Sequence, residues 1–132
     1  MVNMQFGDIL QLETAFRAGV LFKFSGDHDA DVFLGSTVMA EALERMLGAI
    51  QEYWSAAGKR PRAERWRDLY VVSNAKRDNY ERLIDVISSE ALGHPQWAAM
   101  TRREQLDLLQ VIAAPYRLDN AGVMLFEGIL KQ

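Results

Sequence analysis

Between Val32 and Ala57 the apolar residues Met39, Leu43, Met46 and Ile50 and the pair Tyr53/Trp54 recur at steps of three and four. That spacing gathers them on one face of a single long α-helix. Gly58 follows, the residue best suited to the left-handed conformation that ends helices. A stripe of this length has to be buried, so the rest of the chain must supply apolar faces of the same period. Taken from Ser36 to Ala57, the helix is ~33 Å long, against a radius of gyration of ~14 Å for a domain of this size. It spans the whole body and can pair with a symmetry mate, so a homodimer is one expectation.

Matching faces are present. Asp8 to Phe24 carries Ile9, Leu12, Phe16 and Val20 at helical spacing, with Asp8 as N-cap. Its second half is rich in β-forming residues and alternates at Val20, Phe22 and Phe24. A short β-hairpin over residues 20–34, with Val32-Phe33-Leu34 returning and Ser36 or Thr37 capping the next helix, therefore competes with plain helix ends. Pro61 suits a first helical turn, and Arg62 to Ala75 places Trp66, Leu69, Tyr70 and Ser73 on one side, although Leu69-Tyr70-Val71-Val72 has strand propensity. Asp78-Asn79-Tyr80-Glu81 has capping-box spacing ahead of Leu83, Ile84, Ile87 and Ala91, and Gly93 with Pro95 closes that helix. Thr101-Arg102-Arg103-Glu104 is a second capping box, followed by Leu106, Leu109, Ile112 and Ala113 up to Pro115. Asp119 or Asn120 caps a last segment with Val123, Phe126, Ile129 and Leu130. The expected fold is all-α: a compact bundle of five to six helices in one domain over residues 1–132, with the hairpin at 20–34 as its one decoration.

Composition excludes several classes of protein. The longest uncharged stretch, Ala91 to Thr101, is far short of the roughly 20 apolar residues a membrane span needs. Met1 to Gln11 carries Asp8 and no basic residue, unlike a signal or transit peptide. The chain has no cysteine, which removes disulfides, thiolate metal sites and cysteine nucleophiles. A cytoplasmic location is the expectation, and neither cofactor nor catalytic residue is assigned. The helical di-metal, metalloprotease, phosphate-loop and nucleophile-elbow motifs are all missing. His28 and His94 sit in different loops, and the imidazole of His94, at a helix exit, is expected to bond a terminal carbonyl.

Charge is unevenly placed. Residues 1–58 hold three basic side chains against eight acidic ones, a net of −5, while residues 59–132 hold twelve against ten, a net of +2. A chain with such a dipole can pair with itself head to tail or present one charged patch to a partner. The acidic candidates are Asp27, Asp29, Asp31, Glu41, Glu44 and Glu52. Trp97, outside any periodic face, is a candidate anchor beside them. Glu41 and Arg45, four apart, read as a surface ion pair. The basic candidates are Lys59, Arg60, Arg62, Arg65 and Arg67. Glu64 and Asp68 stand within reach to neutralise them, and the embedded Trp66 follows the stripe of Leu69 and Tyr70 into the core.

Three functions follow in order. The first is a non-enzymatic module (inhibitor or immunity type, adaptor or regulatory subunit) that recognises a basic partner protein through its acidic surface. The second is a nucleic-acid-associated regulator using Lys59 to Arg67. A sequence pI near 5.4 argues against it, and neither Asp78 to Leu92 nor Thr101 to Ala113 offers a reading helix with a basic face. The third is a small metal-dependent enzyme at Asp27-His28-Asp29-Ala30-Asp31. Alternate oxygens there suit calcium, but an EF-hand needs glycine where Val32 stands and glutamate where Val38 stands.

Overall fold

The computed structural model describes residues 8–75 and 77–131. Among them six α-helices follow one another: α1 (Ile9–Lys23), α2 (Thr37–Ala56), α3 (Arg60–Leu69), α4 (Arg77–Gly93), α5 (Arg102–Ala113) and α6 (Asn120–Leu130). Single 3-10 turns occupy Asp31–Phe33, Val72–Asn74 and Trp97–Ala99. No strand occurs among the described residues, where one isolated parallel bridge joins Val71 to Arg117. The chain is an all-α bundle.

Local signals set most helix ends. Asp8 Oδ1 accepts from the Gln11 N–H at 2.8 Å, and Ser36 Oγ accepts from the Met39 N–H at 3.1 Å. At Thr101 both arms of the capping box are made, at 3.0 and 3.2 Å. This reciprocal bonding holds the exposed Glu104 carboxyl below its usual range. Asp119 Oδ1 accepts from the Gly122 N–H and Oδ2 from the Ser73 hydroxyl. Burial opposes ionisation of Asp119, and these bonds outweigh it, holding the carboxyl below its usual value. Gly58 has φ +77°, with its N–H on the Ser55 carbonyl and the Lys59 N–H on that of Trp54, a Schellman ending for α2. The Asp78 side chain, on which the other expected capping box turns, lies outside the described residues.

Two expectations are corrected. The hairpin over residues 20–34 does not form: residues 20–23 are the last turn of α1, and Asp31–Phe33 is a 3-10 turn. In helical register Phe16, Val20 and Lys23 all turn inward, and only that register delivers the Lys23 ammonium to the end of α5. There Nζ donates to the Val111 carbonyl at 3.0 Å and to the Ala114 carbonyl at 2.6 Å. A cation at a helix C-terminus meets the negative end of the dipole and the carbonyls that lack helical partners. The helix expected from Arg62 to Ala75 stops at Leu69, which is 45% exposed. Past it the main chain finds another partner: the Val72 N–H donates to the Arg117 carbonyl and the Arg117 N–H to the Tyr70 carbonyl. Strand propensity at Tyr70-Val71-Val72 prevails because a second extended segment lies alongside.

One cluster forms the core. Phe16, Trp66 and Tyr70 meet edge-on and stacked between α1 and α3, and Tyr70 passes the contact to Tyr116 and Phe24. Leu83, Ile87, Leu109, Ile112 and Phe126 extend the cluster through α4, α5 and α6. The backbone of α6 comes close at Gly122, where a Cβ would lie 3.3 Å from that of Val72.

Phe126 is fully buried. Phe126→Ala is therefore expected to cost about 3–5 kcal/mol in urea unfolding, and deletion of residues 120–132 to abolish the cooperative transition. A truncated chain that still melts cooperatively would make α6 an appendage.

Lys23 gives a second prediction. Burial pulls its ammonium from 10.5 down to about 8, with the Glu44 carboxylate partly offsetting the shift. Between those values the unfolded chain binds more protons than the folded one, so this group's contribution to stability rises with pH. Relative to Lys23→Met, the parent chain is expected to gain on the order of 2–3 kcal/mol between roughly pH 7.5 and 10.5. A difference that does not change with pH refutes this account.

Candidate functional site

The six acidic candidates are all exposed, three in the loop before α2 and three on that helix. Asp27, Asp29 and Asp31 lie exposed in the loop before α2, where Asp27 Oδ1 accepts from the Asp29 N–H at 2.9 Å and Asp31 opens the 3-10 turn. Among the described residues, no three histidine or carboxylate side chains gather into a group that would hold a metal ion. Glu41 and Glu52 are exposed on the outward side of α2. Glu44 points elsewhere: it acts on Lys23 and lines a groove of about 330 Å³ with Arg67, Gln110 and Arg117. The expected Glu41–Arg45 ion pair is not made, and no ion pair among the described residues engages Glu41, Arg45 or Glu52. Trp97 packs half-buried against the core and lines a different cavity, with Leu106, Phe126 and Leu130.

Two residues that the sequence alone did not single out stand among the carboxylates. Val32 is 72% exposed and Val38 77%, the first beside Asp31 and the second one turn before Glu41. Open apolar groups next to carboxylates in the chain are candidates for a contact that sheds water, as are Leu10, Leu21 and Met124, which are similarly exposed.

The basic residues are partly occupied. Arg60 pairs with Glu64 at 3.5 Å and Arg67 with Asp68 at 3.1 Å, both on the exposed surface. The Arg62 guanidinium lies 4.0 Å from the centre of the Trp54 ring, whose Nε1 donates to Glu13 Oε2 at 3.3 Å. Arg62 is thereby held against α2 by cation–π attraction. Lys59 and Arg65 are exposed, and Trp66 is a core residue, 4% exposed.

A groove of about 270 Å³ runs between α1 and the end of α3, lined by Arg17, Leu21, Leu69, Tyr70, Asn74 and Tyr116. Burial pushes the Tyr70 phenol up to about 12, with Tyr116 adding to the shift and Arg17 opposing it. Burial raises Tyr116 as well. Both phenols are thus moved further from acid–base service at neutral pH. His94 does not bond a terminal carbonyl as expected: its Nδ1 accepts from the Gln96 N–H at 3.2 Å, within its own turn. Compared with known proteins, the chain matches no family, no curated protein and no solved structure.

With two of its five cations in local ion pairs and a third lying on Trp54, the basic patch is expected to bind polyanions no better than an acidic control protein. Heparin retention at ~50 mM salt should be unchanged in Arg62→Glu/Arg65→Glu. Strong retention lost in that variant would reinstate the nucleic-acid reading.

Proposed function

We propose that this chain is a non-enzymatic protein-binding module of the inhibitor, adaptor or regulatory-subunit kind. Its contact surface is the loop before α2 together with the outward face of that helix, and it recognises a basic partner. The observation that carries the reading is the pair of open valines, Val32 and Val38, set among Asp29, Asp31 and Glu41. Desolvating the valines supplies affinity, while the carboxylates steer a cationic surface into place and reject acidic ones. The outward arrangement of Glu52 extends the same charge along α2. Glu44, turned toward Lys23, and Trp97, packed on the core, fall outside this surface.

A photo-crosslinking residue at position 38 is expected to give a discrete protein adduct in the native host. The same residue at position 124, where the equally open Met124 stands on α6, should give none. Val38→Asp in an untagged chain should weaken partner binding by ~10-fold or more without lowering the melting temperature. Absence of any protein adduct at position 38, or a turnover abolished by one surface substitution, would overturn the reading.

A further inference from the structure

The outward side of α2 is not a random polar face. Val38, Ala42, Arg45, Ala49, Glu52 and Ala56 are all exposed and follow one another at steps of four and three. They form a single stripe opposite the buried Ala40, Leu43, Leu47 and Ile50. The spacing is that of a coiled-coil seam, with small residues and two charges where a seam carries large apolar ones. Nothing in the described structure covers the stripe, and its two charges, Arg45 and Glu52, are without ion-pair partners among the described residues. Gly48 and Ala49 lie midway between them.

We infer that this stripe is the seat of a second copy of the chain, packed antiparallel about a two-fold axis at Gly48–Ala49. The inference rests on the preceding reading of α2 as the contact surface and makes its occupant a second copy, in which Arg45 supplies the local cation. Arg45 and Glu52 are two turns apart, ~10 Å along the axis. About that axis, Arg45 of one copy comes opposite Glu52 of the other, and the pair is made twice. A parallel arrangement would set Arg45 against Arg45 and Glu52 against Glu52, so charge selects the antiparallel one. The helix ends are complementary in the same sense. Asp29, Asp31 and Glu41 stand at the start of α2, and Lys59, in no ion pair among the described residues, follows its end, so each acidic end meets a cation. An interface of this kind is isologous, with the same residues contributed by both copies. Ala49 is the small residue of the stripe at the crossing point, and it allows the axes to approach to the short end of the usual range, ~8 Å.

A seam of one helix face and two loop ends lies at the small end of specific interfaces, and its charge pairs make it sensitive to salt. Sedimentation velocity over a roughly hundred-fold concentration range, up to ~300 µM, is expected to show a monomer–dimer equilibrium that weakens with added salt. Arg45→Glu and Glu52→Arg should each raise the dissociation constant ~10-fold or more. The double swap Arg45→Glu/Glu52→Arg should restore it to within ~3-fold of the parent, because every pair is remade with reversed sign. Both positions of this cycle are solvent-facing, and matching thermal melts would confirm that each variant is folded. A monomer throughout the range, a dimer indifferent to the single changes, or a double swap that fails to restore it would each overturn the inference. A monomeric chain that still gives a foreign-protein adduct at position 38 would leave the preceding reading standing and remove only the second copy as occupant.

Discussion

The bundle depends on one buried cation. The Lys23 ammonium is fully enclosed and bonded to two carbonyls at the end of α5. Taking that charge out of water is costly, and the oxygens that receive it recover only part of the cost, which is why its affinity for a proton falls. The contact joins segments far apart in sequence, tying the last turn of α1 to the end of α5 close to where Phe24 meets Tyr116. The layers α1–α3 and α4–α6 share one apolar core, and this site and the main-chain bridge at Val71 and Arg117 add polar contacts between them.

How much of this could be read from the sequence depends on how local each cause is. The caps at Asp8, Ser36, Thr101 and Asp119 and the glycine ending at Gly58 act within one turn, and all are legible. The apolar stripe of α2 is legible for the same reason. The end of α1 is not, because Val20, Phe22 and Phe24 favour extended chain on their own merits and only a carbonyl from residue 111 or 114 decides otherwise. The end of α3 is hidden in the same way, since Arg117 supplies the partner that stops it. In both places intrinsic preference is real and a distant group determines whether it is obeyed.

The candidate surface was legible in part. Composition marks residues 1–58 as acidic, but a count of charges does not say which way they point. Glu41 and Glu44 differ by less than one turn, yet Glu44 acts on Lys23 while Glu41 makes no ion pair among the described residues. The polar side of α2 carries as regular a period as its apolar side. It is harder to read because alanine, arginine and glutamate share no hydropathy, and their common feature is position on a helix and freedom from intramolecular partners. The third reading, a metal site at residues 27–31, had the donors but lacked convergence. Asp27 spends an oxygen on its own loop, and the next carboxylates turn to solvent.

The seam between Tyr70-Val71-Val72 and Arg117 is made of peptide groups. Its bonds are indifferent to which side chains flank them, so positions along it can drift through many residue types without unlatching the two layers. Proline at 72 or 117 is the exception, because it removes the donated N–H. A bundle fastened in this way can diverge widely at its surface while keeping its connectivity, and likeness in shape would then outlast likeness in residues.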